Sequence, residues 1–180
     1  VEVNSAVVET QVARYGLDSA VVFSSLDEAL AALEPDGVID VTPPQFHREV
    51  SITAMEAGIP VLSEKPLAPT LVEAQEIVDC ANRTGVVHMV TQNYRYSPVV
   101  QTLKLMLDPA EMGEIGAVSV EFFKGPRFGG FREIMPYPLI VDMSIHHFDL
   151  MRFLLGANAT SVFGRSWNPP WSWYKGDAAA

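Results

Sequence analysis

Cysteine occurs once, as Cys80, in a chain of 180 residues. A lone thiol excludes a disulfide framework and any paired-cysteine metal site. It fits a reducing compartment, and the cytoplasm is the expected location. Positive charge is also scarce: 12 Lys plus Arg stand against 22 Asp plus Glu, a net charge of −10. Such a surface repels phosphate backbones, so nucleic acid is not an expected partner. No apolar run approaches the ~18 residues a spanning helix needs. No basic amphipathic stretch offers itself to a lipid surface, so no membrane partner is expected. The opening residues VEVNSAVVET lack the basic start and apolar run of a signal peptide. The chain begins with Val1 and stops at WYKGDAAA without a closing element, which suggests a piece of a longer protein.

What is present is enough for a core. Hydrophobic residues make up 48% and charged residues only 19%, a balance unlike that of a disordered chain. Helical and strand patterns alternate. NSAVVETQVARYG reads as a helix ending at Gly16, and AVVFSS as a short strand. SLDEALAALEPDG opens with Ser25 three residues before Glu28, a capping-box spacing. GVIDVTPP is a strand stopped by two prolines, and QFHREVSITAMEAG a helix ending in Gly58. IPVLSEKP is the next strand, TLVEAQEIVDCANRTG the next helix, and VVHMVTQNYRY the next strand. Repeated βαβ units of this kind make a parallel sheet expected to be covered by helices on both faces, an α/β fold.

After Tyr96 the rhythm changes. SPVVQTLKLMLD reads as a helix, and GEIGAVSVEFFKG alternates as an antiparallel strand does. LIVDMSIHHFDLMRFLLG reads as one helix, and ATSVFGRSWN as a further strand. These patterns divide the chain into residues 1–95 and an α+β domain over 96–180 with part of an open antiparallel sheet.

Open parallel sheets take ligands outside the carboxyl ends of their strands. Two strand ends here carry uncommon residues: Thr42, Pro43, Pro44 and His47 after one, Glu64, Lys65 and Pro66 after the other. They suit a ligand rim, and equally a surface ion pair beside a turn. On the later helix, Asp142, His146 and Asp149 fall within roughly 60° of one another at a helical 100° per residue. Their neighbours are apolar, and a buried acid or imidazole is costly unless paired or used. Three readings stay open: ordinary buried pairing, a proton-transfer site with His146 as acceptor, or a metal site with Asp-x3-His-x2-Asp spacing. Trp167, Trp171 and Trp173 sit in a proline-broken stretch expected to be a loop. They suit packing under a sheet or at a subunit contact, or one wall of a pocket.

The segments VTPPQFH, AMEAGIPVLSEKPLAPTLVEAQEIV, QNYRYSP and DMSIHHFDLMRFLLG, in that order, resemble the glucose-fructose oxidoreductase / inositol dehydrogenase / rhizopine catabolism family (Gfo/Idh/MocA) over nearly the whole chain. The resemblance implies a doubly wound Rossmann-type domain that binds NAD or NADP, then a second α/β domain that holds a sugar, inositol or related polyol. It implies hydride transfer between nicotinamide and a hydroxyl or carbonyl carbon, with Lys65, Asp142 and His146 as the catalytic trio. It places Thr42, Pro43, His47, Glu64, Lys65, Asn93 and Arg95 along the cofactor, and a cis peptide before Pro66. It implies a homo-oligomer, a dimer or tetramer, and no metal. The first strand and the G-x-G-x-x-G loop of that family are absent here. VEVNS then aligns with the end of the second strand, where Glu2 accepts the ribose hydroxyls. A carboxylate there repels a 2′-phosphate and leans toward NAD over NADP. A Gly-rich run before the catalytic helix is replaced by MPYPLIV. Alternatives of other classes are a nucleotide- or sugar-sensing regulator of the same fold, an inactive fragment, and a metal hydrolase built on Asp142, His146 and Asp149.

Overall fold

The computed structural model describes residues 1–107, 109–125 and 127–180. They form two compact units, Val1–Thr91 and Gln92–Ala180. Among the described residues, no helix is long and apolar enough to cross a membrane.

The first unit holds helices α1 (Ser5–Tyr15), α2 (Leu26–Ala32), α3 (His47–Glu56) and α4 (Leu71–Thr84), and strands β1 (Val38–Asp40), β2 (Val61–Ser63) and β3 (His88–Val90). Local chemistry sets the helix ends. The Thr70 and Ser25 side chains accept from the N–H groups of Glu73 and Glu28, each three residues on. Gly85 ends α4 in the left-handed conformation, φ 70°, which a side chain would resist.

The sheet is parallel in the order β1-β2-β3, with Val38 opposite Val61 and Val61 opposite His88. Sequential order has a consequence for layering. Right-handed crossovers between strands laid down in one direction put every connecting helix on the same face. α3 and α4 accordingly pack together on one face, where Ala54, Met55, Val61, Ala68, Ile77 and Cys80 make the core. Side chains alternate along each strand, so Ile39 and Met89 point the other way and stay 72% and 53% exposed.

One expected strand in this unit is not formed. Residues 19–21 make a 3-10 turn closed by Val22 N–H on Ser19 O, and Ser25 O starts the next helix. Among the described residues, the one bond from 22–25 to a distant segment is from Glu2 N–H to Phe23 O. A strand exists only through a neighbour, and this segment has no partner ladder.

The second unit holds α5 (Pro98–Met106), the short α6 (Pro109–Met112) and α7 (Ile145–Leu155). Ser97 caps α5, and Pro98 sits in its first turn, where a missing N–H costs nothing. The alternating segment 113–125 and the segment 159–166 carry no strand, and among the described residues of this unit no sheet forms. The single ladder contact is an antiparallel bridge between Trp167 and Ala179. The alternation is in the sequence, but among the described residues nothing pairs with it. Trp167, Trp171 and Trp173 do lie in a loop, which turns where Ser172 N–H meets Pro169 O.

The helix expected over 139–155 is two pieces. Pro138–Met143 is a π-helical turn, closed by an i to i−5 bond from Ser144 N–H to Leu139 O, and α7 starts after it. Asp142 and His146 therefore lie on different helical segments.

Candidate functional site

The carboxyl ends of β1 and β2 are tied together by backbone and side-chain bonds. Glu64 N–H donates to Asp40 O at 2.8 Å, which carries the pairing one residue past β2. Asp40 is buried, and one carboxylate oxygen accepts from both the N–H and the hydroxyl of Thr42 at 2.9 and 2.7 Å. His47 is wholly buried and spans the two loops. Its Nδ1 lies 2.8 Å from Pro66 O and its Nε2 lies 2.9 Å from Thr42 O. The Lys65–Pro66 peptide is cis, as the resemblance implies. The Glu64 carboxylate turns back to accept from the Lys65 N–H at 3.1 Å. Thus Thr42, Pro43, His47, Glu64 and Lys65, singled out from sequence, belong to one pair of loops at the rim of the sheet. Lys65 itself is half-buried there.

Glu2 is exposed, and its carboxylate accepts from Asn4 N–H at 2.9 Å. The last residues of β1 and β2 and the residue after β3 each carry a buried polar atom with no partner among the described residues: Asp40 Oδ2, Ser63 Oγ and Thr91 Oγ1. Unmet groups of this kind cost about 1–3 kcal/mol each. They collect where an open parallel sheet takes its ligand.

Beneath the rim, Ser51 Oγ and His88 Nε2 are 2.9 Å apart. Ser51 is wholly buried, so the pair is a polar link in the core rather than an accessible nucleophile and base. Burial pulls the His88 imidazole below its usual 6.5, with the nearby Asp40 charge opposing and His47 adding to the shift. The unfolded chain therefore takes up this proton at a higher pH than the folded one. His88 contributes its full stability above the unfolded value, and that contribution is lost as pH falls toward the folded value. The urea midpoint is expected to drop between about pH 7 and about pH 5, and to drop less in His88→Gln. An equal drop in both proteins would assign the acid sensitivity to other groups.

In the second unit, each acid of the expected stripe has its own arginine. Asp142 is buried in the π-helical turn, and Arg132 Nε donates to it at 2.6 Å. Asp149 is buried on α7 and held by both Arg95 Nε, at 2.9 Å, and Arg95 Nη2. That bond holds the Arg95 guanidinium above its ordinary pKa. Among the described residues, no group of three or more His, Cys, Asp or Glu is arranged to hold a metal ion. His146 lies in the first turn of α7, and the Tyr94 ring stacks on it, with centroids 4.1 Å apart and planes 7° from parallel. His147 instead packs tilted on Phe122. Asn93 is exposed at the start of a 3-10 turn, Asn93–Tyr96.

Sequence reasoning missed Arg132 and Tyr94. A signal existed for Arg132, since a buried Asp calls for a cation and GGFRE lies ten residues upstream. None existed for Tyr94 beyond its place between Asn93 and Arg95. π-Helical turns often mark functional positions, and here one carries Asp142.

Comparison with known proteins bears on the same residues. Residues 1–92 match the family model GFO_IDH_MocA, described as an oxidoreductase family with an NAD-binding Rossmann fold. Protein y4oX of Sinorhizobium fredii, described as uncharacterized, is 31% identical over 92% of this chain and 47% of its own length. The scyllo-inositol 2-dehydrogenase (NAD(+)) of Bacillus subtilis is 34% identical over 79% of this chain and 42% of its own. The solved structure of levoglucosan dehydrogenase in complex with NADH and levoglucosan superposes with a TM-score of 0.69 at 28% identity, over 86% of this chain and 44% of that one. The chain spans about half the length of the curated relatives it matches. The match over 1–92, a parallel sheet with crossover helices and the likeness to these dehydrogenases together make the chain a member of the Gfo/Idh/MocA oxidoreductase family, with its NAD-binding Rossmann fold.

Proposed function

We propose that the whole protein is an NAD-dependent dehydrogenase that moves a hydride between nicotinamide and a hydroxyl or carbonyl carbon of a sugar, inositol or related polyol. The observation that carries this reading is Lys65, delivered to the carboxyl rim of the sheet on a loop held by His47, in a chain of this family. The inositol and levoglucosan dehydrogenases among its relatives support the polyol class. We assign residues 1–95 to the cofactor domain and 96–180 to the substrate and oligomer domain of a cytoplasmic dimer or tetramer.

The residues at the rim fit a dinucleotide. Exposed Glu2 suits the ribose hydroxyls, which favours NAD over NADP. The half-buried Thr42, Pro43 and Glu64 offer a polar edge, and His47 keeps their loops in place. Asn93 is open to solvent, and Arg95, tied to Asp149, serves by fixing it. Bound nicotinamide supplies the two-electron acceptor. In oxidation, His146 takes the hydroxyl proton as the hydride leaves the same carbon. The Lys65 ammonium donates to the developing alkoxide and lowers its energy. Asp142, held by Arg132, orients the base. The reverse reaction uses the same groups in the opposite protonation states.

The test is an NAD+-driven screen of inositols, aldoses and anhydrosugars on the whole protein, followed by NADH absorbance. Turnover of at least one member is expected. Tight binding of NADH and sugar with no turnover would replace this reading with a sensor of the same fold.

A further inference from the structure

Two contacts in the second unit form parallel rungs. Consecutive residues of the 3-10 turn, Tyr94 and Arg95, meet residues three apart on α7, His146 and Asp149. The first rung is a face-to-face stack, and the second is a two-pronged ion pair on a buried aspartate, 8% exposed. Residues three apart on a helix lie one above the other, so the two rungs share a face of α7. The Arg95 guanidinium also lies over the Phe153 ring, 5.3 Å from its centroid, one further turn along. Gln101 Nε2 donates to Arg95 O and ties the turn to α5.

We propose that Tyr94 is a positioning residue for His146: its ring fixes the imidazole plane from the face, and the Arg95–Asp149 rung keeps Tyr94 in register with the base. The proposal rests on the reading of His146 as the proton acceptor. An edge hydrogen bond selects which ring nitrogen carries a proton and restrains the plane at that edge alone, so some rotation about the Cβ–Cγ bond remains. A stacked ring removes that freedom, because rotation would break the contact over the whole face. Proton transfer needs the lone pair aimed at the hydroxyl, so loss of the plane lowers the rate of the chemical step and leaves ground-state binding alone. Tyr94 is 42% exposed, so its ring is not required to fill a core. The stack does not use its hydroxyl, which makes Phe the conservative replacement.

Two measurements on the whole protein test this. With NAD+ and the best polyol of the screen, Tyr94→Leu is expected to lower kcat by about 10- to 100-fold with KM nearly unchanged, and Tyr94→Phe to keep the parent rate. In a His146→Ala background, Tyr94→Leu is expected to add no further loss. Independently of turnover, the ring protons of His146 in protein with labelled histidines are expected upfield of those of an unstacked imidazole. That shift should vanish in Tyr94→Leu and persist in Tyr94→Phe. An unchanged kcat in Tyr94→Leu beside an inactive His146→Ala overturns the positioning role while leaving the base in place. Full activity in His146→Ala overturns the base and the positioning role together. A missing upfield shift in the parent protein shows that the rings do not stack and also overturns the proposal.

Discussion

Replacing Lys65 by Ala is expected to lower kcat of the whole protein by about three orders of magnitude, near the upper end of what one preorganised donor to an oxyanion contributes. The reasoning starts from position. β2 ends at Ser63, and one more backbone bond, Glu64 N–H to Asp40 O, carries the strand to the edge of the sheet. Pro66 stops it there, and the buried His47 ring lies within hydrogen-bonding distance of Pro66 O. The Lys65 backbone is thus fixed from both sides while its side chain remains half-buried at the rim. These restraints act on the backbone, so Lys65→Ala should keep the fold of the parent. Lys65→Arg keeps the charge but changes the donor from a compact ammonium to a wide planar fork, and it should recover little of the rate. Single-turnover kinetics with NAD+ and a polyol separates the step from product release. A Lys65→Ala enzyme that turns over at the parent rate would remove Lys65 from the chemistry.

The parts of the fold legible in the sequence are those with local causes. Ser25 three residues before Glu28 and Gly16 after α1 mark helix ends through bonds made within a few residues. Once helices and short apolar runs alternate, handedness alone gives the layering. The strands expected over 20–25 and 113–125 that did not form show the converse. Alternation says which side a residue would face, but pairing depends on a neighbour whose place local sequence does not encode. The break before α7 was hidden for another reason. PLIVDMSIHHF has helical spacing throughout, and one wider turn changes the phase without changing composition. The site divides in the same way. Strand-end residues were legible because the sheet itself brings them to one rim. Arg132 and Tyr94 meet partners ten and 52 residues away, and only the folded chain pairs them.

Replacing His146 by Ala is expected to lower kcat for oxidation by about 10²- to 10⁴-fold, the range of a lost general base. It should also flatten the rise of kcat/KM with pH, since that rise reports loss of a proton from the base in the free enzyme. The neighbouring groups favour His146 over its rivals. Asp142 has its carboxylate drawn to Arg132, and Asp149 has both oxygens on Arg95, so each acid already holds a cation. His147 lies next in sequence but roughly 100° around the helix, where it packs against Phe122, and His147→Ala should cost far less. Arg132→Gln leaves Asp142 without its cation and should fall between these two. It loses rate because the acid no longer holds one orientation, while the imidazole can still take the proton. A pH profile of kcat/KM that keeps its slope in His146→Ala would move the base to another residue. Reversed costs for His146 and His147 would make His147 the base and put its side of α7 toward the substrate.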